Sequence, residues 1–259
     1  MSPINNYYVE APLGVGSYGS VIKASKNGNS YALKFMNGYP EYRHPPTSEQ
    51  LCLFLHEQEI LQEISDSRIP KLIDLFEFNN MLFMVQEYIP GTPLSTQILQ
   101  GKIFTEVEIK DIIEQLLAIL IYLHTPNQGK QIIIHRDLRL SNLILHNKKL
   151  FLIDFGLAIR PYNSQDLTLP EPPTNKTSNH NASSSYIVRR RDHSLSNDLF
   201  GAGLVAVDLM DSRLAYANSQ GKPVCSADFS EFIGKLLKPA SGYQTTAAAL
   251  AALCKIKLS

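Results

Sequence analysis

The sequence predicts an α+β chain: a strand-rich first third carrying one helix, then a mainly helical remainder. Three observations predict it. Five short apolar runs rich in aromatic and β-branched residues fall before Pro90-Gly91. After that pair the apolar residues recur at helical spacing. The length of 259 residues, with 44% hydrophobic and 19% charged, suits one large domain or two lobes sharing a cleft.

In chain order, Tyr7–Leu13, Ser20–Ala24 and Ser30–Phe35 read as strands. The last two are joined through Lys26-Asn27-Gly28-Asn29, where Asn-Gly accepts the positive φ of a tight hairpin. Pro45 and Pro46 stop the chain ahead of a helix from about Ser48 to Ile64, opened by a Thr47/Gln50 capping box. Leu72–Phe78 and Met81–Glu87, divided by Asn79-Asn80, complete five strands. Thr105 with Glu108 then opens a helix through about His124, apolar at 109, 112, 113, 116, 117 and 120. Short strands are expected around Ile132–His135, Leu143–Leu145 and Leu150–Ile153, with a turn at Lys148-Lys149. From Pro161 to Asn197 the chain is dense in Asn, Ser, Thr and Pro without periodicity, which predicts a long mobile loop. Helices are expected at Asp198–Leu209, Asp228–Leu237 and Thr245–Ile256.

Composition excludes several function classes. Lys+Arg and Asp+Glu balance at 24 each, so no global field points to nucleic acid or a membrane surface. Cys52, Cys225 and Cys254 lack the paired spacing of a zinc site or a disulfide framework, and a reducing cytoplasm suits them. No secretory pattern opens the chain, and Asn175 and Asn181 then match the glycosylation pattern by chance. The longest apolar stretch, Ile112–Leu123, contains Glu114 and Gln115 and is shorter than the roughly 20 residues a membrane span needs.

The motifs point to phosphate chemistry. Gly14, Gly16 and Gly19 form a G-x-G-x-x-G run, with Val21 two places on. Glycines let backbone N–H groups approach phosphate oxygens without a Cβ in the way. In a dinucleotide site the run would open a helix; here it lies between two strands, so that reading fails. Lys34, on a strand otherwise suited to burial, needs a partner, and Glu57 on the following helix can hold it over α- and β-phosphates. Glu49, Glu59 and Glu63 share that helix and are rival partners. In Ile134-His135-Arg136-Asp137-Leu138-Arg139-Leu140-Ser141-Asn142, Asp137 can accept a hydroxyl proton and Asn142 can ligate Mg²⁺. Asp154-Phe155-Gly156 follows and supplies a second ligand, an oxygen set that suits Mg²⁺.

With these residues in order, the chain resembles the protein kinase superfamily, and within it bacterial eukaryotic-like Ser/Thr kinases, from about Tyr8 to Leu253. The resemblance implies a bilobal fold: a five-stranded antiparallel N-lobe with one helix over 1–87, a hinge at 88–91, and a helical, somewhat trimmed C-lobe over 92–259 with an activation-segment loop at 161–197. It implies ATP with Mg²⁺ or Mn²⁺, and γ-phosphoryl transfer to Ser or Thr of a protein, autophosphorylation included. It implies that Val21 and Ala32 cover adenine, that the backbones of Glu87 and Ile89 bond to it, and that Gln86 is the gatekeeper. Phe155, His135 and Leu61 match spine positions, and Asp198 matches the aspartate that braces the catalytic loop.

Three departures from the family pattern stand out. Arg139 replaces the usual catalytic-loop lysine; the charge survives, in a larger, forked group. Its place two residues after Asp137 favours Ser/Thr over Tyr acceptors. No Ala-Pro-Glu precedes Asp198, and the arginine that normally pairs with that glutamate is missing too. The stretch from Asp211 to Ala227 is too short for the usual extra helix and its loops. These departures motivate two alternatives, a kinase-fold phosphotransferase acting on a small molecule and a pseudokinase that binds partners. Thr168, Thr174, Thr177 and Ser183–Ser185 are candidate phosphate acceptors, and Arg189-Arg190-Arg191 reads as a solvated basic run.

Overall fold

In the computed structural model, described over residues 3–15, 19–36, 47–170, 192–221 and 224–257, the chain divides into two units, 1–90 and 91–259. The first unit is a five-stranded antiparallel sheet in the order β1-β2-β3-β5-β4 with one helix. The strands are β1 (Tyr8–Val15), β2 (Gly19–Lys26), β3 (Asn29–Met36), β4 (Leu72–Phe78) and β5 (Met81–Glu87). The hairpin between β2 and β3 turns at Asn27 and Gly28, both with positive φ.

Side chains alternate across a strand, so register sorts the sheet into two faces. Leu33 lies opposite Ile22 and Val85. With Tyr7, Ala24 and Phe83 it forms a buried cluster, and Phe76 stacks on both Tyr7 and Phe83. The other face carries Val21, Ala32, Lys34, Met84 and Gln86. Helix α1 (Ser48–Glu63) begins at the predicted capping box, with Thr47 Oγ1 accepting from Gln50 N and Gln50 Oε1 accepting from Thr47 N. It buries Leu53, Phe54, Ile60 and Leu61.

The second unit holds, among the described residues, α2 (Leu94–Leu99), α3 (Glu106–His124), β6 (Leu143–His146), β7 (Lys149–Leu152), α4 (Leu195–Asp211), α5 (Leu214–Ser219), α6 (Ala227–Leu236) and α7 (Thr246–Leu253). α3 is the central element. Its capping box is formed by Thr105 and Glu108, and every position of the predicted apolar stripe is buried. Gln115 leaves the helix to accept from Leu150 N at 2.8 Å and donate to Lys148 O at 2.9 Å, tying β7 to α3. α4 is buried almost all round, and a Cβ on its Gly203 would lie 2.8 Å from Leu237 Cδ2, so glycine sets how closely the end of α6 approaches. No helix among the described residues is long and apolar enough to cross a membrane.

Several expectations need correction. Ile132–His135 is not a strand: Ile134 makes one isolated bridge with Ile159, and Ile133 N donates to Leu123 O. The apolar β-branched run reflects burial rather than pairing. The turn before β7 falls at Asn147 and Lys148, both with positive φ, and Lys149 already belongs to the strand. Within 161–197, a 3₁₀ turn occupies Asp166–Thr168 and α4 begins at Leu195; residues 171–191, with Thr174, Thr177, Ser183–Ser185 and Arg189–Arg191, lie outside the described residues. The interval between Asp211 and Ala227 holds, among the described residues, one six-residue helix, α5, in keeping with a trimmed lobe.

One partly buried acid sits away from the motifs. Burial, with repulsion from Asp211 one turn along α4, pushes Asp208 up to about 6, against an ordinary 3.8. Between those values the folded chain keeps a proton that the unfolded chain has lost, so stability falls as pH rises through the window. Asp208→Asn should therefore stabilise the domain by about 1–2 kcal/mol near neutral pH, once solvent screening is allowed for, and do little near pH 4. Thermal unfolding at both pH values checks this, and an equal effect at the two would refute it.

Candidate active site

The first unit carries the nucleotide half of the predicted set. Lys34 sits in mid-β3 and its Nζ donates to Glu57 Oε2 at 2.6 Å. Of the glutamates on α1, Glu57 alone is buried; Glu49 and Glu59 are exposed and Glu63 is intermediate. A buried pair of this kind is costly to break from one side, because the remaining charge stays desolvated. Val21 lies directly across the strands from Lys34, and Ala32 two residues before it, so all three occupy one sheet face. Gln86 shares that face, and its Nε2 reaches Met84 Sδ at 3.1 Å. Glu87 N is already donated to Lys71 O at 2.9 Å, so its N–H is committed within the unit. Ile89 is buried.

The glycines of the run separate into two kinds. A Cβ on Gly19 would lie 2.3 Å from Phe35 O, so this glycine is required by the close approach of β3. A Cβ on Gly14 would meet nothing within 4 Å among the described residues. Gly16 lies outside the described residues.

The second unit carries the catalytic-loop set, organised around one carboxylate. Asp198, in the first turn of α4 and fully buried, accepts from His135 N at 2.8 Å, from Arg136 N at 2.9 Å and from His124 Nε2 at 3.0 Å. Burial alone would raise its pKa; the hydrogen bond and electrostatic pull of His124, with the His135 amide, hold it below the usual carboxylate value. The two successive amides converge on Asp198 because Arg136 adopts a left-handed φ of 62°. That conformation costs about 1–2 kcal/mol for a residue with a Cβ, and the carboxylate offsets it. Arg136 Nε is donated to Leu157 O at 2.7 Å. Burial first, and then the Arg136 charge, push His193 below the ordinary imidazole range.

Asp137 follows, buried, with its N–H donated to His135 Nδ1 at 3.2 Å. Asn142 Nδ2 donates to Asp137 O at 2.9 Å and to Asp137 Oδ2 at 3.0 Å, and Asn142 O accepts from Ile153 N. Arg139, exposed, brings Nε to 3.5 Å from the same Oδ2. The structure thus brings Asp137, Asn142 and Arg139 together. Asp154 has a φ of 65°, and Phe155 meets the His135 ring edge-on at 4.8 Å. Because the Asn142 amide nitrogen is spent on Asp137, the side-chain oxygen is the atom of Asn142 with metal-binding character; it and the Asp154 carboxylate are oxygen donors of the kind that suit Mg²⁺ or Mn²⁺.

Sequence reasoning missed three groups. Lys130 is buried and donates to Leu123 O and Thr125 O at the end of α3, and to Gln131 O just before the catalytic loop. Arg160 gives its N, Nε and Nη2 hydrogens to the two oxygens of Asp166 at 2.7–2.8 Å, a buried clamp that closes the segment after Asp-Phe-Gly on itself. His124 and Thr246 join Asp198 in a chain. A lysine just past a helix end is a readable signal; the other contacts follow no local spacing.

Comparison with known proteins accords with this geometry. A protein-family model for the protein kinase domain matches residues 7–250. Calcium-dependent protein kinase 4 of Plasmodium berghei is 33% identical over 153 residues, covering 56% of this chain and 27% of that protein. Serine/threonine-protein kinase B of Synechocystis is 36% identical over 107 residues, 40% of this chain and 18% of that protein. The aligned parts thus make up about a quarter or less of these relatives. With nearly its whole length matched, the chain belongs to the protein kinase domain family.

Proposed function

We propose that this domain is an active Ser/Thr protein kinase that transfers the γ-phosphoryl group of ATP to a hydroxyl of a protein substrate. The observation that carries the reading is the arrangement on the catalytic loop: a buried Asp137 fixed by Asn142, with the Arg139 guanidinium beside it. Asp137 orients the attacking hydroxyl and accepts its proton. Arg139 offers positive charge to the transferring group, and Lys34, held by Glu57, steadies the α- and β-phosphates. Gly14 and Gly19 border the loop that covers those phosphates. Asn142 and Asp154 hold the divalent ion, which when bound neutralises charge on the β- and γ-phosphates. Positioning and electrostatics supply most of the acceleration, because phosphoryl transfer needs little covalent help. Arg139 two places after Asp137 and the names of the relatives both favour Ser/Thr acceptors.

The test is incubation of the chain with γ-labelled ATP and Mg²⁺ or Mn²⁺, alone and with a generic protein acceptor, followed by phosphoamino-acid analysis. Label on phosphoserine or phosphothreonine is the expected result. Label on tyrosine alone would overturn the acceptor assignment, and label on a metabolite but no protein would favour a small-molecule kinase. Nucleotide binding without transfer would make the domain a pseudokinase.

A further inference from the structure

We propose that Thr246 is a positioning residue for the catalytic loop, acting through His124 on Asp198; the catalytic part of this proposal rests on the phosphotransfer reading above. Thr246 Oγ1 lies 2.8 Å from His124 Nδ1, and His124 Nε2 lies 3.0 Å from Asp198 Oδ2. Asp198 in turn accepts the His135 and Arg136 amides that precede Asp137. The hydroxyl, the imidazole and the carboxylate are all buried, with Thr246 4%, His124 8% and Asp198 0% exposed. They come from α7, the end of α3 and α4, and 122 residues separate Thr246 from His124.

Donor logic fixes the direction of the chain. Asp198 Oδ2 is an acceptor, so the ring nitrogen facing it must carry a proton; a lone pair there would repel the carboxylate. Nε2–H is therefore the hydrogen-bonding form of His124. In the neutral ring Nδ1 then presents a lone pair, and the Thr246 hydroxyl lies against it. Thr246 selects the tautomer that lets His124 serve Asp198.

The hydroxyl has no local task that would explain its burial. Thr245, its neighbour, is the N-cap of α7 and accepts from Ala248 N, so capping does not call on Thr246. A buried hydroxyl without a partner is costly, and this one is turned to His124. Loss of it leaves Nδ1 unpaired or drives the ring to the other tautomer, and either loosens the donor on Asp198. The left-handed Arg136 backbone, and with it the aim of Asp137, depends on that carboxylate staying in place.

Thr246→Val replaces the hydroxyl with a methyl of similar volume, and Thr246→Ser keeps the hydroxyl. The valine variant should lose about 10- to 100-fold in kcat, the scale of a small misplacement of a catalytic group, with KM for ATP changed by less than about twofold. The serine variant should stay near wild type. In amide exchange, the His135 and Arg136 amides of the valine variant should open about tenfold faster, while amides of the β1–β5 sheet keep their protection. In the wild-type protein, nitrogen-15 spectra of His124 should show the proton on Nε2. A valine variant with wild-type kcat and unchanged exchange at these two amides overturns the proposal. So does uniformly faster exchange throughout the molecule, which would mean a purely structural role. A wild-type His124 carrying its proton on Nδ1 overturns it even if the valine variant fails to fold. Absence of phosphotransfer in the wild type would sink the kinase reading alone, because exchange and tautomer still decide the chain.

Discussion

Asp137→Asn should lower kcat for phosphoryl transfer by about 10²–10⁴-fold, the usual contribution of a positioned general base. The substitution is nearly isosteric, and the neighbours that fix Asp137 do not need its charge. Its N–H to His135 and its carbonyl to Asn142 are backbone contacts that asparagine retains. The amide oxygen of the new side chain can still accept from Asn142 Nδ2. What is lost is the proton acceptor and the ionic partner of Arg139. Lys34 and Glu57 are untouched, so ATP affinity should move by less than about twofold, and the deficit should fall in kcat rather than KM. Steady-state kinetics with ATP as the varied substrate reads the split. A variant that transferred phosphate at the wild-type rate would remove Asp137 from the mechanism and the Ser/Thr kinase assignment with it.

Asp198→Ala should be the most destabilising single change at the site, costing about 3–5 kcal/mol. It strands two buried amides, His135 and Arg136, together with His124 Nε2, and removes the group that offsets the left-handed Arg136 backbone. In a domain of this size the loss corresponds to a Tm lower by about 10 °C. The effect should depend on pH in a defined direction. The Asp198 carboxyl is held below its ordinary value of 3.8, so its contribution is fully present above that value and fades as pH falls further. The gap between variant and wild type should accordingly narrow in acid below about pH 4. Denaturant titrations at neutral and acid pH measure both. A neutral-pH cost below about 1 kcal/mol would mean that another group supports the loop.

Local order was well written in the sequence. Both capping boxes form as Thr47/Gln50 and Thr105/Glu108 predict, because capping is settled within four residues. The α3 stripe was readable because one apolar face of a long helix repeats enough times to average out exceptions. β4 and β5 span the residues expected, bounded by the positive-φ pair Asn79-Asn80. Short elements were not readable. α2 and α5 have six residues each, too few for a period, and Pro93 offers α2 no side-chain cap. The run at Ile132–His135 misled because burial selects the same residues as strand pairing does. For the site, motif order named the groups on the catalytic loop, and helix spacing left four glutamates open as partners for Lys34. Only the fold distinguishes Glu57, through its burial. The links from Thr246 to His124 and from Arg160 to Asp166 were invisible for a different reason: they answer to tertiary proximity and to the need of buried polar groups for partners.

The two described glycines of the Gly14–Gly19 run face different selective pressures. Gly19 answers to the backbone of its own sheet, where Phe35 O leaves no room for a methyl group. Gly14 answers to no neighbour among the described residues. A lineage descended from this domain that had abandoned nucleotides could let Gly14 drift within a few substitutions while retaining Gly19 for as long as it folded. Of these two, Gly19 would therefore be a fossil of architecture, and Gly14 the one able to serve as a clock for when ligand binding was lost.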